Sequence, residues 1–122
     1  MQDRPTAPEL LDAMAADLYS EVREWVPRER RFRVLVLANL CAVIARELRA
    51  GDEPSRQDLE LFASLGGSPA NDPREAARAL ATAIRRGELD SRLPEALAGL
   101  REHVARKLEI ARPGYVVSAD DG

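Results

Sequence analysis

The side chains that could carry catalysis are few in this chain of 122 residues. It contains one histidine, His103, and one cysteine, Cys41. Cys41 lies among apolar residues at helical spacing, which predicts a buried thiol that acts as an inert core residue. His103 is placed beside charged residues at the edge of an apolar stripe, so we do not expect a Cys–His nucleophilic pair. We predict no catalytic residue and a protein that is not an enzyme.

Three glutamates that could act as metal ligands share one face of a predicted helix: Glu95, Glu102 and Glu109. A di-iron helical bundle uses Glu-x-x-His pairs on two helices, and that motif is missing. The glutamates therefore indicate a solvated ridge paired with nearby basic side chains. Gly66-Gly67 lacks the following Lys and the preceding strand of a phosphate-binding loop, so it reads as a helix stop. We predict no metal and no cofactor.

Arginines cluster where a long helix is predicted to begin. The cluster comprises Arg28, Arg30, Arg31 and Arg33. Cations at a helix N-terminus oppose the macrodipole, so a compensating negative charge is expected. One source is an acidic face on the preceding helix, formed by Asp17, Glu21 and Glu24. The other is an external anion, such as a phosphate or an acidic partner surface. We treat the cluster as a candidate interaction or anion site.

Asn39 is a second candidate, because it falls among apolar residues of the same predicted helix. It shares a narrow stripe with Phe32, Val36 and Val43. A buried amide without a partner costs about 1–3 kcal/mol, so Asn39 is expected to form a hydrogen bond. The bond is either internal to the monomer or part of a helix–helix interface with another chain. The second alternative makes a homodimer one of the possible assemblies.

These candidates are positioned by helices, whose start and stop signals are frequent along the chain. Thr6-Ala7-Pro8-Glu9 is a capping box, and Pro27 ends the first helix. A second helix is predicted from about Arg28 to Ala50, with Gly51 as its C-cap. Three further helices follow, the last with a stripe formed by Leu93, Leu97, Leu100, Val104, Leu108 and Ala111. The sequence predicts an all-α, single-domain bundle of about five helices with helix two central.

The length, the net charge and the apolar runs of the chain limit the class of protein further. A length of 122 residues predicts one domain over 1–122, with flexible ends at 1–5 and 118–122. The net charge of −3 argues against nucleic acid and anionic membranes as partners. No apolar signal core opens the chain, and its longest apolar run is too short to span a bilayer. We therefore expect a cytoplasmic protein.

Four stretches of the sequence resemble a family of small helical bacterial proteins that has not been characterised. They are Gln-Asp-Arg-Pro-Thr at 2–6, and the segments 38–48, 84–90 and 107–113. Members of that family are typically encoded beside aminoglycoside-phosphotransferase-like kinases and acyl-CoA dehydrogenases. The resemblance implies a genomic neighbourhood and supplies no catalytic residues.

Two functional hypotheses follow from the residues and the resemblance together. The first is a non-catalytic interaction or accessory module for a kinase-like or acyl-CoA dehydrogenase partner. The alternative is a small-ligand protein that binds an acyl-CoA or another phosphorylated anion through the arginine cluster. A DNA-binding regulator is disfavoured by the net charge and by the lack of a basic recognition helix.

Overall fold

The computed structural model of the chain describes residues 3–67 and 69–115. Helices account for 81% of these residues, and none of them lies in a strand. The α-helices are α1 (Ala7–Asp17), α2 (Arg31–Ala50), α3 (Glu53–Gly66), α4 (Pro73–Arg85) and α5 (Leu93–Ala111). The predicted all-α fold with five helices is confirmed.

The helix boundaries follow the local signals in the sequence. Thr6 Oγ1 accepts a hydrogen bond from the Glu9 amide at 3.4 Å, and Glu9 Oε2 accepts one from the Thr6 amide at 2.9 Å. This completes the predicted capping box. Gly51 ends α2 with a φ of 64°, a value that residues with a Cβ rarely adopt. The predicted end of helix two is therefore confirmed.

Short irregular helical turns join these elements. After α1 the chain continues through a π-helical turn, Leu18–Val22, and three further α-helical residues, Arg23–Trp25. A 3-10 turn, Arg28–Arg30, precedes α2, so the predicted second helix begins with a tighter turn than an α-helix. A second 3-10 turn, Asp90–Arg92, precedes α5.

The chain divides into two compact units, Met1–Gly51 and Asp52–Gly122. That residues 1–122 act as one domain stays a prediction. Residues 1–2 and the predicted flexible end 118–122 lie outside the described residues, while residues 3–5 are exposed and not helical.

In the first unit, α1 packs along α2. The contact buries three residues of α2: Val34, Ala38 and Ala45. An ion pair between Arg49 Nη2 and Asp12 Oδ2, 2.6 Å apart, joins the two helices near one end. The small residues Ala38 and Ala45 allow α1 to approach the backbone of α2, so this side of α2 becomes its packed face.

The second unit contains a hydrophobic core that α3, α4 and α5 share. Its buried members are Phe62, Leu65, Ala76, Leu80, Ala83, Leu89 and Ala96. The close approach of α5 to α3 occurs at Gly99, where a Cβ would lie 2.6 Å from Leu61 Cδ1 and 3.3 Å from Leu65 Cδ1. A larger residue at this position would force the two helices or Leu61 to move.

The predicted apolar stripe of α5 is not its most deeply packed face. Leu93, Leu97 and Val104 are exposed, while Leu100 and Leu108 are half-buried. The helix instead buries Ala96 and Gly99. Small residues permit a closer backbone approach and therefore define the contact with α3.

Candidate functional site

Among the described residues, the arginine cluster is only partly neutralised by carboxylates. Arg31 Nη2 lies 3.7 Å from Glu24 Oε2, and Arg23 Nε lies 3.5 Å from Glu24 Oε1. Glu24 is thus the member of the predicted acidic face that pairs with an arginine of the cluster. The structure does not bring the four arginines together on one anion, since Arg31 is engaged by Glu24.

Three arginines of the cluster, Arg28, Arg30 and Arg33, have exposed side chains. Within residues 3–67 and 69–115 none of the three forms an ion pair or a side-chain hydrogen bond. Two large aromatic residues accompany them, with Trp25 72% exposed and Phe32 75% exposed. Exposed Trp, Phe and Arg are the residue types that dominate the energetics of protein interfaces.

Asn39 is exposed in the single chain. The prediction that it is a buried polar residue is therefore wrong for the monomer. The reason is the choice of packed face on α2, since α1 covers the side of Val34 and Ala38. Phe32 and Val36, from the same predicted narrow stripe, are also exposed, and Val43 is half-buried. Water can therefore hydrate the Asn39 amide, and no internal hydrogen bond is required.

A groove between α1 and α2 in the first unit has Asn39 on its edge. Its volume is about 440 Å³, and it is lined by Ala15, Ala16, Tyr19, Leu35, Ala38 and Asn39. The phenol and the amide are the two polar side chains in that set. The Arg23 guanidinium carbon stacks 4.6 Å from the centre of the Tyr19 ring, which places a cation beside the tyrosine.

A polar cluster in the second unit, which the sequence patterns did not predict, joins α3 to α5. His103 Nδ1 donates a hydrogen bond to Asp58 Oδ1 at 2.8 Å, and Arg106 Nη2 donates to the same oxygen at 2.9 Å. The side chains of Asp58, His103 and Arg106 are 17%, 16% and 24% exposed. One feature of the sequence could have indicated this cluster. The spacing of His103 and Arg106 places both side chains on the face of α5 that also carries Gly99.

The electrostatics of this cluster favour a charged Asp58. Burial raises the pKa of the Asp58 carboxyl, but the hydrogen bonds from His103 and Arg106 outweigh burial and hold that pKa below its usual value. The His103 ring packs edge-on against Phe62, with 4.9 Å between the ring centres. Asp58 therefore fixes the orientation of an imidazole that also contacts the core.

A carboxylate that orients a histidine is also the arrangement of a general base, so the surroundings of His103 decide what the pair can do. The ring lines a cavity of about 180 Å³, and the other lining residues are Phe62, Ala77, Leu80, Ala81, Ile84 and Leu100. These six are apolar, so His103 meets no second polar side chain there. The contacts favour a structural role, in which the cluster ties α3 to α5.

Cys41 is half-buried, where full burial was predicted. Among the glutamates of the predicted ridge, Glu95 pairs with Arg92 across 2.9 Å. Within the described part of the chain, no group of three or more His, Cys, Asp or Glu side chains is arranged to hold a metal ion. None of the helices there combines the length and apolar character needed to cross a membrane.

A continuous apolar surface lies on α2, beside its packed face. We call it the open face of α2, and it consists of Val36, Leu37, Leu40, Ile44 and Leu48. These side chains are between 40% and 52% exposed. Isolated apolar residues are common on protein surfaces, but five on one face of a helix form a contiguous patch typical of interaction sites.

The fold and these surfaces define an all-α protein that carries exposed apolar and basic faces. The chain belongs to the family described as Domain of unknown function (DUF6285), which matches residues 24–115. The matched region extends from the last residues before Pro27 to the end of the described chain. No curated protein and no solved structure matches the chain.

Proposed function

We propose that this protein is a non-catalytic accessory module of the bacterial cytoplasm that binds a phosphotransferase-like kinase. The kinase is the candidate partner because the sequence resembles a family encoded beside such enzymes. An acyl-CoA dehydrogenase from the same neighbourhood is the second candidate partner. The observation that carries the proposal is the segment 25–32. It contains the exposed rings of Trp25 and Phe32, and two exposed arginines, Arg28 and Arg30, without an ion pair in the described residues.

This segment offers both components of a protein interface. Trp25 and Phe32 supply apolar area that water solvates poorly, and Arg28 and Arg30 supply cations without a partner in the described residues. The matching surface on the partner would be an apolar depression with acidic residues at its rim. Exposed charges at a rim mainly govern the association rate and the salt dependence.

The test is co-expression of the protein with an affinity-tagged kinase from its own gene cluster, followed by calorimetric titration. We expect a complex that the paired substitutions Arg28→Glu and Arg30→Glu weaken at least about tenfold, and that high salt also weakens. The matched control is Arg78→Glu with Arg101→Glu, which reverses two exposed cations elsewhere in the chain. The proposal fails if neither genomic neighbour binds at low salt, or if the control pair has the same effect.

The groove between α1 and α2 favours a second candidate function, the binding of a small acyl-CoA-like ligand. Its apolar lining suits an acyl chain, and Tyr19 and Asn39 could form hydrogen bonds at its edge. Titration with acetyl-CoA tests this alternative, and Ala38→Leu is the variant that would fill the groove. Binding that survives Ala38→Leu would place the ligand elsewhere, and no heat of binding at millimolar ligand would end this alternative.

A further inference from the structure

The open face of α2 carries a pattern that indicates what covers it. Arg33, Leu37, Leu40, Ile44 and Glu47 recur at alternating spacings of four and three residues. Spacings of this kind keep side chains on one side of a helix and form the seam of paired helices. The seam begins with a cation, continues with three exposed apolar residues and ends with an anion.

We propose that the open face of α2 binds the same face of a second copy of this protein, with the two helices antiparallel. Leu40 lies midway along the seam, seven residues from Arg33 and seven from Glu47. A two-fold axis near Leu40 brings the apolar centres of the two seams together. The inference does not rest on the proposed kinase partner, since it uses different residues from segment 25–32.

The charges at the ends of the seam select the antiparallel direction. A parallel pair would place Arg33 beside Arg33 and Glu47 beside Glu47 of the second copy. The antiparallel pair directs each Arg33 towards the Glu47 end of the other helix. Within residues 3–67 and 69–115 neither side chain forms an ion pair or a side-chain hydrogen bond, so both are available to a second copy. The antiparallel pair therefore has two contacts between opposite charges, where the parallel pair would have two contacts between like charges.

The exposed stripe of α5, which contains Leu93, Leu97 and Val104, is a competing apolar surface, but its charges disfavour self-association. Leu97 and Val104 are flanked by Arg101 and Lys107. An antiparallel pair centred on this stripe would bring the two copies of Arg101 close together. At helical spacing Glu95 and Glu102 fall on a different side of α5 from Leu97 and Val104, so they do not offset that repulsion. The charges of α2 are better arranged for self-association.

Multi-angle light scattering after size exclusion measures the predicted assembly. We expect a particle of twice the chain mass of 13.4 kDa for the natural sequence at tens of micromolar. Leu40→Glu places two like charges at the two-fold axis and should give a monomer with an unchanged circular dichroism spectrum. Leu97→Glu, a matched change in the stripe of α5, should remain a dimer. A monomeric natural protein, or a dimer that Leu97→Glu dissociates, overturns the proposal.

A charge exchange tests the direction of pairing without adding a charge to the apolar centre. Arg33→Glu and Glu47→Arg should each raise the dimer dissociation constant by roughly tenfold, since each creates two like-charge contacts. The double variant, Arg33→Glu with Glu47→Arg, should restore the original value. In a parallel dimer, either single change would alter the dissociation constant little. A double variant that dimerises more weakly than both single variants overturns the antiparallel arrangement. Kinase binding by the Leu40→Glu monomer is measured separately, so either proposal can fail alone.

Discussion

Asp58 and His103 lie 45 residues apart in the chain and are joined by a hydrogen bond of 2.8 Å between Oδ1 and Nδ1. Arg106 donates to the same carboxylate oxygen from the next turn of α5. One carboxylate of α3 therefore accepts two hydrogen bonds from α5, next to the close helix contact at Gly99. The cluster adds a directional contact to an interface that is otherwise apolar.

Removal of the Asp58 charge should destabilise the second unit. We expect Asp58→Asn to lower the free energy of unfolding by about 1–3 kcal/mol, because Arg106 and His103 lose a charged acceptor in a largely buried position. Urea denaturation followed by circular dichroism measures the change. Glu60→Gln is the control, since Glu60 pairs with Arg56 on an exposed surface and should cost less than about 0.5 kcal/mol. An equal effect of the two substitutions would contradict a special role for Asp58.

The same carboxylate should make stability depend on acid pH. The pKa of Asp58 is lowered by folding, so its contribution is fully present above the unfolded value of 3.8 and is lost as the pH falls through the lower folded value. The difference in unfolding free energy between the natural protein and Asp58→Asn should therefore shrink as the pH falls below about 4. Denaturation curves of both proteins over this range measure it. A difference that grows on acidification would reverse the assigned direction.

Gly99 should tolerate a larger side chain poorly. A branched residue there would collide with Leu61 and Leu65, so we expect Gly99→Val to destabilise the protein by about 1–3 kcal/mol. Ala98→Val adds similar bulk at the exposed neighbouring position and reports the cost of valine in a helix, about 0.5 kcal/mol. Thermal melts of the two variants should differ clearly. Equal melting temperatures would show that α5 can shift away from α3 without cost.

Asn39 should be replaceable with little effect on the fold. The side chain is exposed and lies outside the seam of α2, so Asn39→Leu should change the free energy of unfolding by less than about 0.5 kcal/mol. It should also leave the particle mass in light scattering unchanged. A large loss of stability would restore the original hypothesis of a satisfied internal amide, and a change in mass would place Asn39 inside the interface.

The sequence by itself determined the number of helices and several of their ends. The capping box at Thr6 and Glu9, the stop at Pro27 and the positive-φ glycine at Gly51 all occur where the residues predict them. Each of these signals acts through hydrogen bonds or backbone angles within about four residues, so neighbours in the chain are sufficient to set it. The arginine cluster was also visible in advance, because its members are adjacent in sequence.

Only the tertiary structure decided which face of each helix is packed. The leucine stripe of α5 satisfies helical periodicity, yet Ala96 and Gly99 form the contact, and α2 likewise packs through Ala38 and Ala45. Periodicity locates an apolar face but does not say whether a closer backbone approach on another face is more favourable. The pairing of Asp58 with His103 was hidden for a related reason. It joins two helices that are distant in the chain, and only their packing brings the carboxylate to the imidazole.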